Sequence, residues 1–225
     1  MPTIIAIDFD LTHRKEKVKN SVVTLEKTHQ IITRFLTVYE NIGRTRTTRR
    51  NQTEEQTDIL RAMFVFSASG LDSVVKQLIK DCLEAVVRSS EGAQLQMKNF
   101  LMTELKDKET VNIGILADLL STPSPFDKGT KLLKNELIDK SLQSAEQLLS
   151  AGAYFDVKST EITNNIPKLK EVFKSRNQII HEMDIVDITS IRRRRGRPLR
   201  TMCEYTNLML ETANKFITAV ESKLI

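Results

Sequence analysis

Little in this sequence can cross-link the chain or bend it sharply. It holds two cysteines, Cys82 and Cys203, in 225 residues, too few for a disulfide framework or a cysteine-built metal site. The plain expectation is two packed or free thiols in a reducing cytosol. Seven glycines and five prolines are few for this length and argue against an all-β chain with many tight turns. Tryptophan is absent and aromatics make up 5%, so the core has to come mainly from Leu, Ile, Val and Phe. No apolar run approaches the roughly 20 residues that span a bilayer. The N-terminal MPTIIAIDFD is interrupted by Asp8 and Asp10 and is too short and too acidic for a signal peptide. A cytoplasmic protein with no membrane partner is the expectation.

Hydrophobic residues make up 40%, enough for a sizeable core, and the net charge is +5. That charge is unevenly placed. Arg192, Arg193, Arg194, Arg195, Arg197 and Arg200 fall in a run without an acid, and without them the chain would stand at −1. Any contact with a polyanion should therefore be local. Apolar spacing predicts helices over about residues 10–41 (with Asp10 or Thr12 as cap), 54–88, 93–106, 113–120 and 128–150. Another should open near Pro167 and end near Met183, and a last one should cover residues 202–223. Gly70 falls inside the second helix, where a close helix approach or a kink would explain it. Basic loops are expected at 42–53, with Arg44, Arg46, Arg49 and Arg50, and at 188–201. No shift in composition marks a boundary, so residues 1–225 read as one all-α domain.

One segment carries chemistry. In IPKLKEVFKSRNQIIHEMD, Leu169, Val172, Phe173, Ile179, Ile180 and Met183 form one helical stripe. Arg176 falls in the middle of it, and Asn177 and His181 stack four apart along its edge. A buried guanidinium costs several kcal/mol unless it is paired and hydrogen-bonded. Either Arg176 pairs with a core carboxylate, for which Asp72 is the candidate, or its face opens onto a cleft or a second subunit. On the residues alone, an ion pair plus one polar histidine would suffice.

The stretch FKSRNQIIHEMD also resembles the Arg-x(4–6)-His motif of the HEPN superfamily, with Asn as the polar residue after Arg. The segments ASGLDSVVKQLIKD (residues 68–81) and KSLQSAEQLLSAGAYF (residues 140–155), with the arginine run before a final helix, are similar to a prokaryotic HEPN family of the RiboL-PSP type. The resemblance runs from about residue 59 to the C-terminus. It implies a bundle of helices and metal-independent RNA cleavage in toxin or defence systems, with no cofactor. It places Arg176 and His181 at the catalytic positions, Asn177 at the polar one and, more loosely, Asp72 at a supporting acidic position. Attack of a ribose 2′-OH on the adjacent phosphate needs a base, and departure of the 5′-oxygen needs an acid; histidine can serve as either near neutral pH. Arginine matches the phosphate oxygens of the transition state. Because one copy supplies one such pair, a homodimer is expected, with RNA as substrate and a defence-system or antitoxin protein as a further partner.

Other features read differently. Asp8, Asp10 and Thr12 have the spacing of a haloacid-dehalogenase nucleophile motif, but the following residues read as helices and not as the parallel sheet that motif needs. Arg195, Gly196, Arg197 and Pro198 match the core of an AT-hook, although a loop between two helices favours contact with an RNA backbone. A solvated loop and a loop facing an acidic protein stay open as alternatives. So does a non-catalytic module that binds nucleic acid or protein through this loop. His13 and His29 are expected at the surface, no zinc site is credible, and the methionines at 63, 97, 102, 183, 202 and 209 are expected to fill the core.

Overall fold

The computed structural model describes residues 2–44, 52–106, 113–186 and 194–225. Its elements are α1 (Lys19–Arg44), α2 (Glu54–Asp81), α3 (Leu83–Ser89), α4 (Glu91–Leu105), α5 (Ile113–Leu120), α6 (Pro125–Asp139), α7 (Ala145–Ala153), α8 (Ser159–Ile162), α9 (Ile166–Glu182) and α10 (Leu199–Lys223). The architecture is an all-α bundle. Among the described residues there is no strand, only an isolated bridge between Ile185 and Arg194.

α2 and α10 form the centre. Along α2 the residues Leu60, Phe64, Leu71, Val74, Val75 and Leu78 are fully buried or nearly so, repeating at helical spacing. α10 buries Met202, Met209, Leu210, Phe216, Ile217 and Val220. α1 and α10 pack against α2, and α6 and α9 join them. Gly70 records how closely α1 approaches: a Cβ there would lie 2.1 Å from Thr28 Cγ2. By length and composition, α2 is the one described helix that could cross a membrane, which qualifies the expectation that no apolar run is long enough. Half of that apolar window is buried inside the bundle.

Helix ends follow local capping chemistry. Thr53 and Gln56 form a reciprocal capping box at the start of α2, which satisfies two N–H groups that the helix leaves free. Ser90, Ser124 and Ser144 cap α4, α6 and α7. Asn165 Oδ1 accepts from Lys168 N at 2.9 Å and opens α9 just before Pro167.

Three helix boundaries differ from the sequence reading. Asp10 and Thr12 cap nothing: Asp10 Oδ1 accepts from Thr12 N at 2.9 Å in a local turn, and α1 begins at Lys19 after a single helical turn over Glu16–Val18. The expected helix 54–88 is divided at Cys82 into α2 and α3, and its thiol donates to Lys17 O at 3.3 Å. The expected helix 128–150 is divided into α6 and α7 because Ser144 resets the chain and Asp72 Oδ1 accepts from Leu142 N at 2.9 Å.

The N-terminal residues run extended and are strapped to the bundle. Asn207 grips both sides of the strap, accepting from Ile5 N at 3.0 Å and donating to Thr3 O at 2.8 Å. His29 is a correction to its expected surface position. Its Nε2–H donates to Ile5 O at 2.8 Å, and its ring packs edge-on to Phe9. Two methionines also differ: Met63, Met97, Met202 and Met209 are buried, whereas Met102 and Met183 are exposed.

Candidate functional site

α9 enters the bundle and then leaves it. Leu169, Val172 and Phe173 are buried, while further along the same stripe Ile179 and Ile180 are half-buried and Met183 is 62% exposed. Arg176 sits where the stripe emerges. Its Nη1 donates to Asn177 Oδ1 at 3.0 Å, and Asn177 Nδ2 donates to Gln143 O at 3.1 Å. Asn177 therefore turns the guanidinium across the helix surface and ties it to the segment between α6 and α7.

The expected ion pair between Arg176 and Asp72 does not form. Asp72 is held instead by Lys76, one turn along α2 at 3.1 Å, and by Leu142 N. Burial lowers the Arg176 pKa from its ordinary value, and the nearby charge of Asp72 acts in the opposite sense. Of the arginines described, Arg14, Arg44, Arg61, Arg88, Arg194, Arg195, Arg197 and Arg200 each have a carboxylate partner. Arg34 is exposed. Arg176 is thus the half-buried arginine without an ion pair among the described residues.

A second, polar stripe runs beside it. Lys170, Lys174, Asn177 and His181 follow spacings of four, three and four, so they lie along one face of α9. His181 is exposed. Lys170 pairs with Glu146 at 2.7 Å, and Lys174 has no ion pair among the described residues. Beside this stripe is a shallow groove of about 290 Å3, lined by Gln143, Ser144, Lys170, Lys174, Asn177 and Gln178 among others. The periodicity that defines this stripe is in the sequence, but attention to the apolar stripe hides the two lysines. Arg176 and His181 themselves are about 140° apart around the helix at its 3.6-residue turn. One copy therefore does not set them side by side.

The described arginines of the arginine run each pair with an acid of this chain. Arg197 is buried, with Nε on Asp184 Oδ2 at 2.8 Å and Nη2 on Asp184 Oδ1 at 2.5 Å. Arg61, from α2, donates its Nε to Asp184 Oδ2 at 2.9 Å and its Nη2 to the Arg195 carbonyl at 2.8 Å. Asp184 is fully buried and sits at φ 61°, just after Met183 at φ 51°, where the chain turns sharply off α9. Burial would raise the Asp184 pKa, but hydrogen bonds and charge from Arg197 and Arg61 outweigh it and hold it below the ordinary aspartate value. Outside this clasp, Arg194 pairs with Asp58 at 2.7 Å, Arg195 with Glu182 at 2.8 Å and Arg200 with Glu204 at 3.0 Å. Arg192 and Arg193 lie outside the described residues, as do Arg46, Arg49 and Arg50.

Neither thiol is poised for reaction. Burial, largest among the causes, pushes Cys82 up to about 12 and Cys203 up to about 11. Among the described residues no three His, Cys, Asp or Glu side chains cluster where they could hold a metal ion. Asp8 and Asp10 are spent on local turns, with Asp8 Oδ1 accepting from Asp10 N at 2.9 Å. No family model, curated protein or solved structure matches the chain.

Proposed function

We propose that the chain is a HEPN-type endoribonuclease that acts in the cytoplasm as a homodimer and cleaves RNA without a metal, with Arg176 and His181 as the catalytic pair. The observation that carries this reading is Arg176 itself: a half-buried guanidinium on an emerging apolar face, hydrogen-bonded to Asn177 and lacking the carboxylate that its burial calls for. A phosphate oxygen would supply the missing charge. Two copies related by a twofold axis, packed through Ile180, Met183 and the exposed Val186, would cover the apolar surface and bring His181 of one copy toward Arg176 of the other.

In that arrangement one His181 takes the proton of a ribose 2′-OH as its oxygen bonds to phosphorus. The second His181, protonated, gives its proton to the departing 5′-oxygen as the P–O5′ bond breaks. Arg176 holds the charge that builds on the non-bridging oxygens, and Asn177 fixes its direction. The products are a 2′,3′-cyclic phosphate and a 5′-OH. Lys174 and Lys170 extend the same face and suit the neighbouring phosphates. Asp72 acts on Arg176 through its field rather than by contact. The competing reading, a binding module working through the arginine run, loses support from the partners of Arg194, Arg195, Arg197 and Arg200, all of which are acids of this chain.

The test is cleavage of total RNA by the purified chain in EDTA, beside His181→Ala with its folding checked. Wild type is expected to release cyclic-phosphate ends, and His181→Ala to be slower by about 100- to 10,000-fold. Equal cleavage by both, or substantial cleavage of an all-deoxy strand, would remove the proposed chemistry.

A further inference from the structure

A second cavity lies behind the segment that holds Asn177. It has a volume of about 240 Å3, room for about eight water-sized atoms at ~30 Å3 each. Val75 and Ile79 of α2, Leu137 of α6, Leu142, and Ala151 of α7 give it apolar walls. Its polar lining comes from Lys76, Lys140, Ser141, Gln147, Ser150 and Tyr154. Two cations line the cavity and no carboxylate does, because Asp72 and Glu136, the partners of these lysines, stand outside the lining. An apolar body with one anionic end matches such a lining, since the walls take the body and the lysines take the charge.

The segment over residues 140–144 separates this cavity from the candidate site. Lys140, Ser141 and Leu142 face the cavity, and the next carbonyl, of Gln143, accepts the Asn177 amide that holds Arg176. Leu142 N also donates to Asp72, whose salt-bridge partner is the cavity lysine Lys76. An anion on Lys76 would compete with Asp72 and shift the support of Leu142, Gln143 and Asn177 together.

We propose that this cavity between α2, α6 and α7 is a binding site for a small organic anion with an apolar body, and that its occupancy is transmitted through residues 140–144 to Asn177. Binding needs no RNA and no catalytic activity, so it can be tested separately from the ribonuclease reading.

The experiment titrates hexanoate into the full chain by calorimetry and follows the Asn177 side-chain amide by 15N–1H NMR. Hexylamine, with the same body and the opposite charge, is the control. Saturable binding of hexanoate is expected, at least tenfold weaker in Lys140→Glu and in Ser150→Leu. Both positions are exposed, so the fold should tolerate the changes. The Asn177 amide should move along the same isotherm. Absence of saturation by hexanoate, equal binding of hexylamine, or unchanged affinity in both variants would overturn the site. An Asn177 amide that stays still during saturable binding would overturn the transmission.

Discussion

Arg197 and Arg176 are arginines of one chain held near the same helix, and they are treated in opposite ways. At the end of α9, Asp184 takes Arg197 and Arg61 together, and the three side chains are almost wholly removed from water. About two turns earlier, Arg176 is half-buried with an amide oxygen for company. A buried charge cluster with every oxygen satisfied fixes geometry, because removing any member strands the others. A guanidinium with a neutral partner keeps its charge available to a ligand. The comparison separates residues that hold the molecule together from residues free to act on something else, and it places Arg197 of the arginine run in the first group.

The largest test of that division is Asp184→Asn. It leaves Arg197 with no carboxylate and Arg61 with Asp58 alone, and should cost about 3–5 kcal/mol of stability, measured by denaturant unfolding. If the loss is near zero, the clasp is not a stabilising element and the contrast fails. The same carboxylate gives a pH signature. Its folded pKa is depressed, so its contribution is complete above the unfolded value of about 3.9 and is lost as pH falls through the lower folded value. Acid unfolding of wild type should therefore steepen below about pH 4, and the Asp184→Asn variant should lack that component. At the weaker end stands Lys174→Ala. It should leave the melting temperature in place and lower the salt dependence of RNA binding by about one phosphate contact, a change in slope of ~0.7 for a single strand. Arg200→Ala, whose side chain is already paired with Glu204, should leave that slope unchanged.

Much of the bundle was legible from periodicity. The apolar spacing that marks α2 and α10 is the spacing of their buried faces, and residues 113–120 form α5 as read. Breaks made by long-range contact were not legible. Nothing local around Leu142 says that Asp72 will take its N–H, and nothing around Cys82 announces the end of α2. The position of Arg176 on an apolar stripe was visible, as was the fact that burial would demand an explanation. Its partner was not, because Lys76 lies one turn from Asp72 on the same helix and reaches it first. The partners of the described arginines in the run were hidden for a related reason. Charge density in a sequence shows six cations but not the acids at 58, 182, 184 and 204 that pair with Arg194, Arg195, Arg197 and Arg200.

The most direct measurement sets Arg176→Ala beside Arg197→Ala, each assayed in the same preparation for thermal unfolding and for RNA cleavage in EDTA. Arg176→Ala should melt with wild type and lose cleavage by about 100-fold or more. Arg197→Ala should melt well below wild type, while the fraction still folded cuts RNA. A variant at Arg176 that unfolds as readily as the one at Arg197, or that cuts as fast as wild type, would contradict the account.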